Sequence, residues 1–376
     1  MPDACDVVIA GGGPAGAACA WKLRHAGLDV VVLDQAPFPR DKVCAGWITP
    51  QVIADLQLDL DDYRRGRTLQ PFTAFRVGVI GQDVSVDASY PQPVSFGIRR
   101  CEFDHYLLER AHARVRTGVP LSSIRREGST WIVNESLTAP MLVGAAGHFC
   151  PVARMLNGSA DDRPLVIAQE VEFPIDPEAD EWPVEPERPE LYFSRDLEGY
   201  GWCLRKGRHV NVGFGCLSRR QFPEARARFV TFLRKMRRVP NEESWRWRGH
   251  AYFLSAPARR RVVDSGVVLA GDAAGLAYPQ SGEGIRPAVE SGMMAASAII
   301  EAGGLYGRER LASYEKRLHD RFGLGRRPSV ALPNMPAPVV ASIGRWLLRR
   351  PRFVRQVVID RWFLHTQVAP LAGALS

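Results

Sequence analysis

The segment that most constrains this chain is Gly11-Gly-Gly-Pro-Ala-Gly16, which directly follows Asp6-Val-Val-Ile-Ala10. The apolar run reads as a buried parallel strand. The loop fits G-x-G-x-x-G. Pro14 suits the first turn of a helix, where its missing N–H costs nothing. Ala15 and the small residues up to Ala26 predict a helix that lies close on a sheet, and Gly27 is placed to end it. Residues 28–33 form a second strand, with Asp34 at its end and Gln35 beside it. Each position has a physical task. Gly11 permits a tight turn, Gly13 lets backbone N–H groups approach a pyrophosphate, and Gly16 allows helix and strand to touch. The helix N-terminus adds a partial positive charge. Asp34 can accept a ribose 2′-hydroxyl and disfavours a 2′-phosphate, so the implied ligand is FAD or NAD rather than NADP. A lone glycine motif is weak evidence. Strand, loop, helix, strand and acid in order make this one specific.

A second strand-and-loop unit lies far downstream. Gly266-Val-Val-Leu-Ala-Gly-Asp-Ala-Ala-Gly275 places Asp272 at the carboxyl end of a strand, where open α/β sheets bind ligands. A carboxylate there suits a ribityl hydroxyl. Pro279-Gln-Ser-Gly-Glu-Gly-Ile285 then leads into a helix reaching about residue 300. Gly282 and Gly284 free backbone N–H groups where Ile285 opens that helix. This end can stabilise negative charge on a reduced flavin ring.

These segments, with Arg99-Arg-Cys-Glu-Phe-Asp104 between them, resemble the p-hydroxybenzoate-hydroxylase-like flavoproteins, and within them the geranylgeranyl reductase family. Arg40-Asp-Lys-Val-Cys-Ala-Gly-Trp47 is similar to that family's K-x-C-x-G segment, and Tyr200-Gly-Trp202 to the Y-x-W part of its substrate-domain motif. The resemblance covers residues 5–320. It implies FAD as cofactor, held by Gly11, Gly13, Pro14, Ala15, Gly16, Asp34 and Gln35. It implies Arg100 reaching toward the pyrophosphate. Lys42, Cys44, Ala45 and Gly46 would form a loop over the flavin, with Asp272, Gly282, Gly284 and Ile285 beside its ring. The chain departs from the family in two places: Tyr200-Gly-Trp202 lacks the following Phe-Pro, and Cys44-Ala-Gly46 stands where Cys-Gly-Gly is usual.

The implied fold is α/β: a Rossmann-like FAD-binding domain, an inserted antiparallel-sheet substrate domain and a C-terminal helical segment. We place the discontinuous FAD domain at 1–70, 97–163 and 251–322, the substrate domain at 71–96 and 164–250, and a helical cap at 323–376. Short strands are predicted at 166–173, 191–194, 202–204 and 209–214, a loop at 176–189, a helix at 102–113 and a basic helix at 219–238. The tail has a Pro-rich connector at 328–338 and helices at 342–348 and 352–363 rich in Trp, Val and Arg. It packs on the substrate domain, or forms a basic amphipathic surface that touches anionic lipid.

Three residues are candidates for the reacting site. Tyr200 and Trp202 lie on one strand face. They are either sheet core or an aromatic wall for an apolar substrate. Cys44 is either a small buried thiol or lines the flavin face and gives a proton to a substrate carbanion, with Arg40 and Lys42 near it. No second G-x-G-x-x-G exists, so NAD(P)H would dock transiently as reductant, or an electron-donor protein would serve.

Composition narrows the partners. The chain has 376 residues and a net charge of +8, and only five of its 49 basic residues are lysine. No nucleic-acid-binding motif accompanies the charge. It suits a solvated surface, or attraction to an anionic substrate or membrane. Seven widely spaced cysteines show no metal-ligand spacing, and we expect no metal and reduced thiols. No signal peptide or membrane-spanning run is read, which predicts a cytoplasmic protein, either free or membrane-peripheral. The leading functional reading is reduction of C=C bonds in an apolar, isoprenoid-like substrate. The alternative is a flavin-dependent monooxygenase, with a halogenase ranked lower because Trp202 is followed by Cys-Leu-Arg. A non-catalytic flavin-binding protein has no supporting feature.

Overall fold

The computed structural model describes residues 2–158, 165–175, 183–239, 245–255, 260–323 and 335–371. A six-stranded sheet carries the first nucleotide motif. Its strand order is Val263–Asp264, Val267–Leu269, Met141–Gly144, Val7–Ala10, Val30–Asp34 and Arg114–Thr117. All neighbours in it are parallel except the first pair. The inner strands are apolar throughout because both faces are covered, by helices and by a small four-stranded sheet. The helix Pro14–His25 and the long helix Ile285–Ala302 lie side by side on the sheet. They touch because Gly292 has no side chain: a Cβ there would sit 2.2 Å from the Ala15 carbonyl oxygen. A small four-stranded sheet, Asp3–Ala4, Leu137–Ala139, Thr130–Val133 and Ile124–Glu127, flanks this unit.

A seven-stranded sheet forms the other large layer. Its order is Arg248–Phe253, Leu165–Pro174, His209–Cys216, Gly199–Lys206, Glu190–Phe193, Ala74–Val79 and Ser85–Ser89. It is antiparallel except where Glu190–Phe193 runs parallel to Ala74–Val79. One face is covered by the helix Phe222–Lys235, which buries Phe222, Phe229, Phe232 and Leu233. The strand Gly199–Lys206 has its alternating glycines for this reason. A Cβ on Gly201 would lie 2.5 Å from the Phe229 ring. Tyr200 and Trp202 therefore project from the opposite face.

That opposite face is closed by the C-terminal segment. The helix Ala337–Leu347 is followed by Pro351–Phe353 and a widened helical stretch, Val354–Phe363. Val354, Val358, Ile359, Phe363 and Leu364 pack in one cluster with Phe72, Phe75 and Trp202. The tail residues of the sequence reading thus divide: Val354, Val358 and Phe363 are core, while Trp346 is 54% exposed.

Element limits differ from the sequence reading in understandable ways. The helix after Arg99 runs Arg100–Arg110, starting two residues and ending three residues earlier than expected, and Arg114–Thr117 follows as a strand at the sheet edge. The expected strand at 202–204 extends over Gly199–Lys206, because glycines that look like turn signals here make room for an aromatic ring. The basic helix is shorter than expected, Phe222–Lys235. The first tail helix begins at Ala337, inside the expected connector. Most of that connector (328–334) and part of the expected 176–189 loop (176–182) lie outside the described residues. Among the described residues, no helix is long and apolar enough to cross a membrane.

Candidate active site

One cavity lies between the parallel sheet and the seven-stranded sheet. Of the sequence-selected nucleotide residues, Gly11, Gly13, Pro14, Ala15, Asp34 and Gln35 line it. Gly16 does not: its missing side chain faces Gly11, whose carbonyl oxygen would lie 1.8 Å from a Cβ. Gly11 takes φ +108°, and a Cβ there would collide with the Ala145 carbonyl at 2.4 Å. Gly13, by contrast, faces open space apart from the Arg40 guanidinium tip. The helix Pro14–His25 starts at Gly13 with no side-chain cap, so its first N–H groups are left for a ligand. This cradle fits the pyrophosphate of a dinucleotide. Asp34 divides its oxygens. Oδ2 accepts the Gly12 N–H at 2.8 Å and Oδ1 the Ala36 N–H at 2.9 Å, which fixes the carboxylate at the cavity edge.

The loop 40–47 crosses the cavity, and Lys42, Cys44, Ala45 and Gly46 line it. Gly46 has φ +68°, and a Cβ would meet the Ile98 carbonyl oxygen at 2.3 Å. The Cys44 sulfur accepts the Gly46 N–H at 3.3 Å, and its backbone N–H donates to Glu170 Oε2 at 2.8 Å. Arg100 stands beside this sulfur. It was expected to reach toward a pyrophosphate, but its Nε and Nη2 each donate to Asp104 at 2.8 Å. Only part of the guanidinium is left to face the cavity.

Lys42 meets residues the sequence reading did not select. Its Nζ lies 2.8 Å from His250 Nε2, and that nitrogen lies 3.5 Å from Asp272 Oδ2. Burial pulls the Lys42 ammonium down to about 8, against the Asp272 charge. Burial, with Lys42 beside it, also holds His250 below its ordinary value despite the Asp272 hydrogen bond. Burial works to raise the Asp272 carboxyl, but the His250 hydrogen bond and the Lys42 and Arg100 charges outweigh it, so it sits low. Asp272 itself sits on the short turn Gly271–Ala273.

The turn before Ile285–Ala302 completes this end. Gly282, Gly284 and Ile285 line the cavity. Gly282 takes φ +66°, and a Cβ there would sit 2.3 Å from the Tyr252 hydroxyl. Tyr200 donates its hydroxyl to the Ser281 carbonyl, tying the large sheet to this turn.

Beyond the loop the lining turns apolar. Tyr200 and Trp202 form one wall with Trp47 and Phe363. Phe363 contacts Trp47 and Tyr200 at ring separations of 5.6 and 5.4 Å. Trp202 is held by a 2.7 Å bond from Nε1 to Asn211 Oδ1, and a Cβ on Gly213 would lie 2.1 Å from its ring. Asn211 also donates to Glu170 Oε2 at 3.1 Å. Burial pushes the Glu170 carboxyl up to about 7, against Lys206 and Asn211.

The reading from sequence missed His250, Tyr252, Glu170, Asn211, Glu283 and Phe363. His250 and Tyr252 alternate on the strand Arg248–Phe253, which is a same-face signal. Glu283 sits between the selected Gly282 and Gly284, and nothing local marks Glu170, Asn211 and Phe363 as neighbours of the cavity.

Comparison with known proteins agrees with this arrangement. A family model described as FAD dependent oxidoreductase matches residues 6–77. The chain is 33% identical over 354 residues to a menaquinone reductase of Mycobacterium tuberculosis, covering 86% of this chain and 82% of that protein. It is 31% identical over 317 residues to a geranylgeranyl diphosphate reductase of Rhodobacter capsulatus, covering 78% and 75%. Among solved structures, a geranylgeranyl bacteriochlorophyll reductase-like protein from Thermoplasma acidophilum superposes with a TM-score of 0.72 at 19% identity, over 99% of this chain and 94% of that one. The flavin-dependent halogenase CmlS superposes with a TM-score of 0.65 at 21% identity, over 85% and 62%. The last two share the fold.

Proposed function

The chain belongs to the geranylgeranyl reductase family of FAD-dependent oxidoreductases, and we propose that it reduces C=C bonds in the isoprenoid part of an apolar molecule such as menaquinone. The observation that carries this is one continuous cavity with two chemistries. A glycine-and-helix cradle with Asp34 lies at one end, and an aromatic wall of Trp47, Tyr200, Trp202 and Phe363 at the other. When bound and reduced, the flavin supplies hydride.

The chain's own residues do the rest. Gly11, Gly13, Pro14, Ala15 and Gln35 would hold the dinucleotide, with Gly16 setting the helix against the strand and Asp34 facing the ribose. Asp272, Lys42 and His250 would set the charge next to the ring, and Gly284 would offer its backbone N–H there, with Gly282 and Ile285 shaping the turn through their bonds to the Tyr278 carbonyl and the Glu283 carboxyl. Tyr200 and Trp202 orient an apolar chain and exclude water, and Cys44, with Ala45 and Gly46, lines the same face. Arg100, anchored by Asp104 and beside Cys44, would turn the rest of its guanidinium toward the pyrophosphate. NAD(P)H docking transiently, or a reduced electron-donor protein, would supply the electrons. We also propose that the C-terminal helix Ala337–Leu347 meets the membrane that holds such a substrate. The division into a discontinuous FAD unit and a substrate unit is proposed as well. The strand Arg248–Phe253 pairs in the large sheet, which moves the second boundary from residue 250 to the end of that strand.

The test is anaerobic reduction of the FAD-loaded protein, then rapid mixing with menaquinone in detergent micelles or with air. The expected result is oxidation of the flavin by the prenyl substrate faster than by oxygen, with a hydrogenated product by mass spectrometry. Substrate-coupled oxygen uptake with oxygen in the product would instead establish a monooxygenase.

A further inference from the structure

The turn at 279–284 carries one acid, Glu283, that the roles above leave without a task. It is half-buried and lines the cavity. Its Oε1 accepts the Arg286 N–H at 2.7 Å, capping the first turn of Ile285–Ala302. Its Oε2 is closed off from solvent and has no hydrogen-bond partner. An unpaired, desolvated carboxylate oxygen costs more as an anion than as an acid.

The one counter-charge beside it is spent elsewhere. The Arg286 guanidinium is committed to Glu290 and to the carbonyls of His365, Val368 and Ala369. Tyr278 donates its N–H to the Glu283 carbonyl, and the Tyr252 hydroxyl stands against Gly282. The Tyr200 hydroxyl reaches the Ser281 carbonyl, and Asp272 stands against Gly284. Burial, with Arg286 beside it, holds His365 down at about 4, so it is neutral. Arg286 is thus the one cation of this group at neutral pH. Burial, with the Glu290 charge adding to it, pushes the Glu283 carboxyl up to about 7, against the Arg286 and Ile285 N–H groups and the Arg286 charge.

Resting on the reductase reading, we propose that Glu283 is the proton donor of the reaction, holding its proton on Oε2 until a substrate carbon takes it. The Oε2–H bond breaks and its electron pair stays on the carboxylate. The proton joins the electron pair that hydride addition leaves on the neighbouring carbon. The C=C bond becomes C–C with one hydrogen from hydride and one from Glu283. The reduced cofactor is the reductant and ends oxidised, and the carboxylate recovers its proton from water after product leaves.

Glu283→Gln keeps an acceptor for the Arg286 N–H and removes the proton. Infrared titration of the FAD-loaded wild type should show a carboxylic acid band that disappears as pH rises through about 7 and is absent from Glu283→Gln. Anaerobic single turnover with menaquinone in micelles should slow roughly 10²-fold or more in the variant, with flavin content and spectrum unchanged. Glu283→Asp should return the band and part of the rate. A Gln variant as fast as wild type, a wild type without such a band, or an Asp variant that regains the band but no rate overturns the donor role. Failure of the reductase reading looks different: the wild type itself leaves menaquinone unreduced at every pH, and the donor role falls with it.

Discussion

Lys42 enters the cavity wall with His250 against its ammonium and Asp272 one step beyond. Its folded pKa of about 8 lies below the ordinary 10.5. Between those values the unfolded chain holds a proton that the folded chain has released. Stability from this group therefore rises as pH increases from 8 to 10.5 and is lowest at neutral pH. Lys42→Met removes that dependence. Urea unfolding of the FAD-free proteins should show the wild type gaining on the variant as pH rises through this window. A flat difference would mean that Lys42 is solvated. The sequence makes Lys42 visible, because K-x-C-x-G is a local pattern. It hides His250, which stands 208 positions away on another sheet. Glycines divide the same way. Gly11 and Gly16 are legible from spacing, because their clashes are with the motif's own turn or the adjoining strand. Gly201 and Gly213 make room for Phe229 and Trp202, and only the folded sheet shows why.

At the scale of elements, the long helix Ile285–Ala302 and the chain's last residues are one device. Arg286 is fully buried in the helix's first turn, where the helix dipole disfavours a cation. It stays because Nε donates to Glu290 at 2.7 Å and Nη2 to the Val368 and Ala369 carbonyls at 2.7 and 3.2 Å. Arg321, from the helix Arg308–Phe322, grips Glu290 and the Ala369 carbonyl as well. Arg286→Leu leaves the Val368 carbonyl without this donor, and the Ala369 carbonyl and Glu290 with Arg321 alone of the two arginines. We expect a loss of about 3–5 kcal/mol in urea unfolding, the cost of breaking a buried ion pair. Limited proteolysis should also cut faster beyond residue 350. Unchanged stability and cleavage would show that Arg321 alone suffices. The sequence announces this helix by its glycine turn, but an arginine in a first turn looks like a solvated residue. Its partners lie some 80 positions downstream, beyond the reach of any periodicity.

For the whole molecule, the question is how an apolar substrate reaches a cavity closed by the C-terminal segment. That segment has two ends with opposite surroundings. Phe363 forms part of the cavity wall. Val339, Ile343 and Trp346, on one face of the helix Ala337–Leu347, are 44%, 41% and 54% exposed. Arg345, Arg349 and Arg350 lie beside them, with Arg350 over the Trp346 ring at 4.4 Å. An apolar stripe edged with arginine suits an anionic bilayer surface, and the net charge of +8 favours the approach. The full protein should therefore sediment with anionic vesicles at low salt and be released as salt shortens the Debye length. Trp346→Ala removes a ring whose burial is worth about 1.5–3 kcal/mol, so partitioning should fall roughly tenfold or more. Turnover of a water-soluble short-chain prenyl alcohol should not change, because Trp346 lies outside the cavity lining. If Trp346→Ala slows menaquinone in vesicles but not the soluble alcohol, the helix serves substrate capture. If wild type ignores anionic vesicles at low salt, the stripe is no membrane contact, and substrate must be delivered by a carrier.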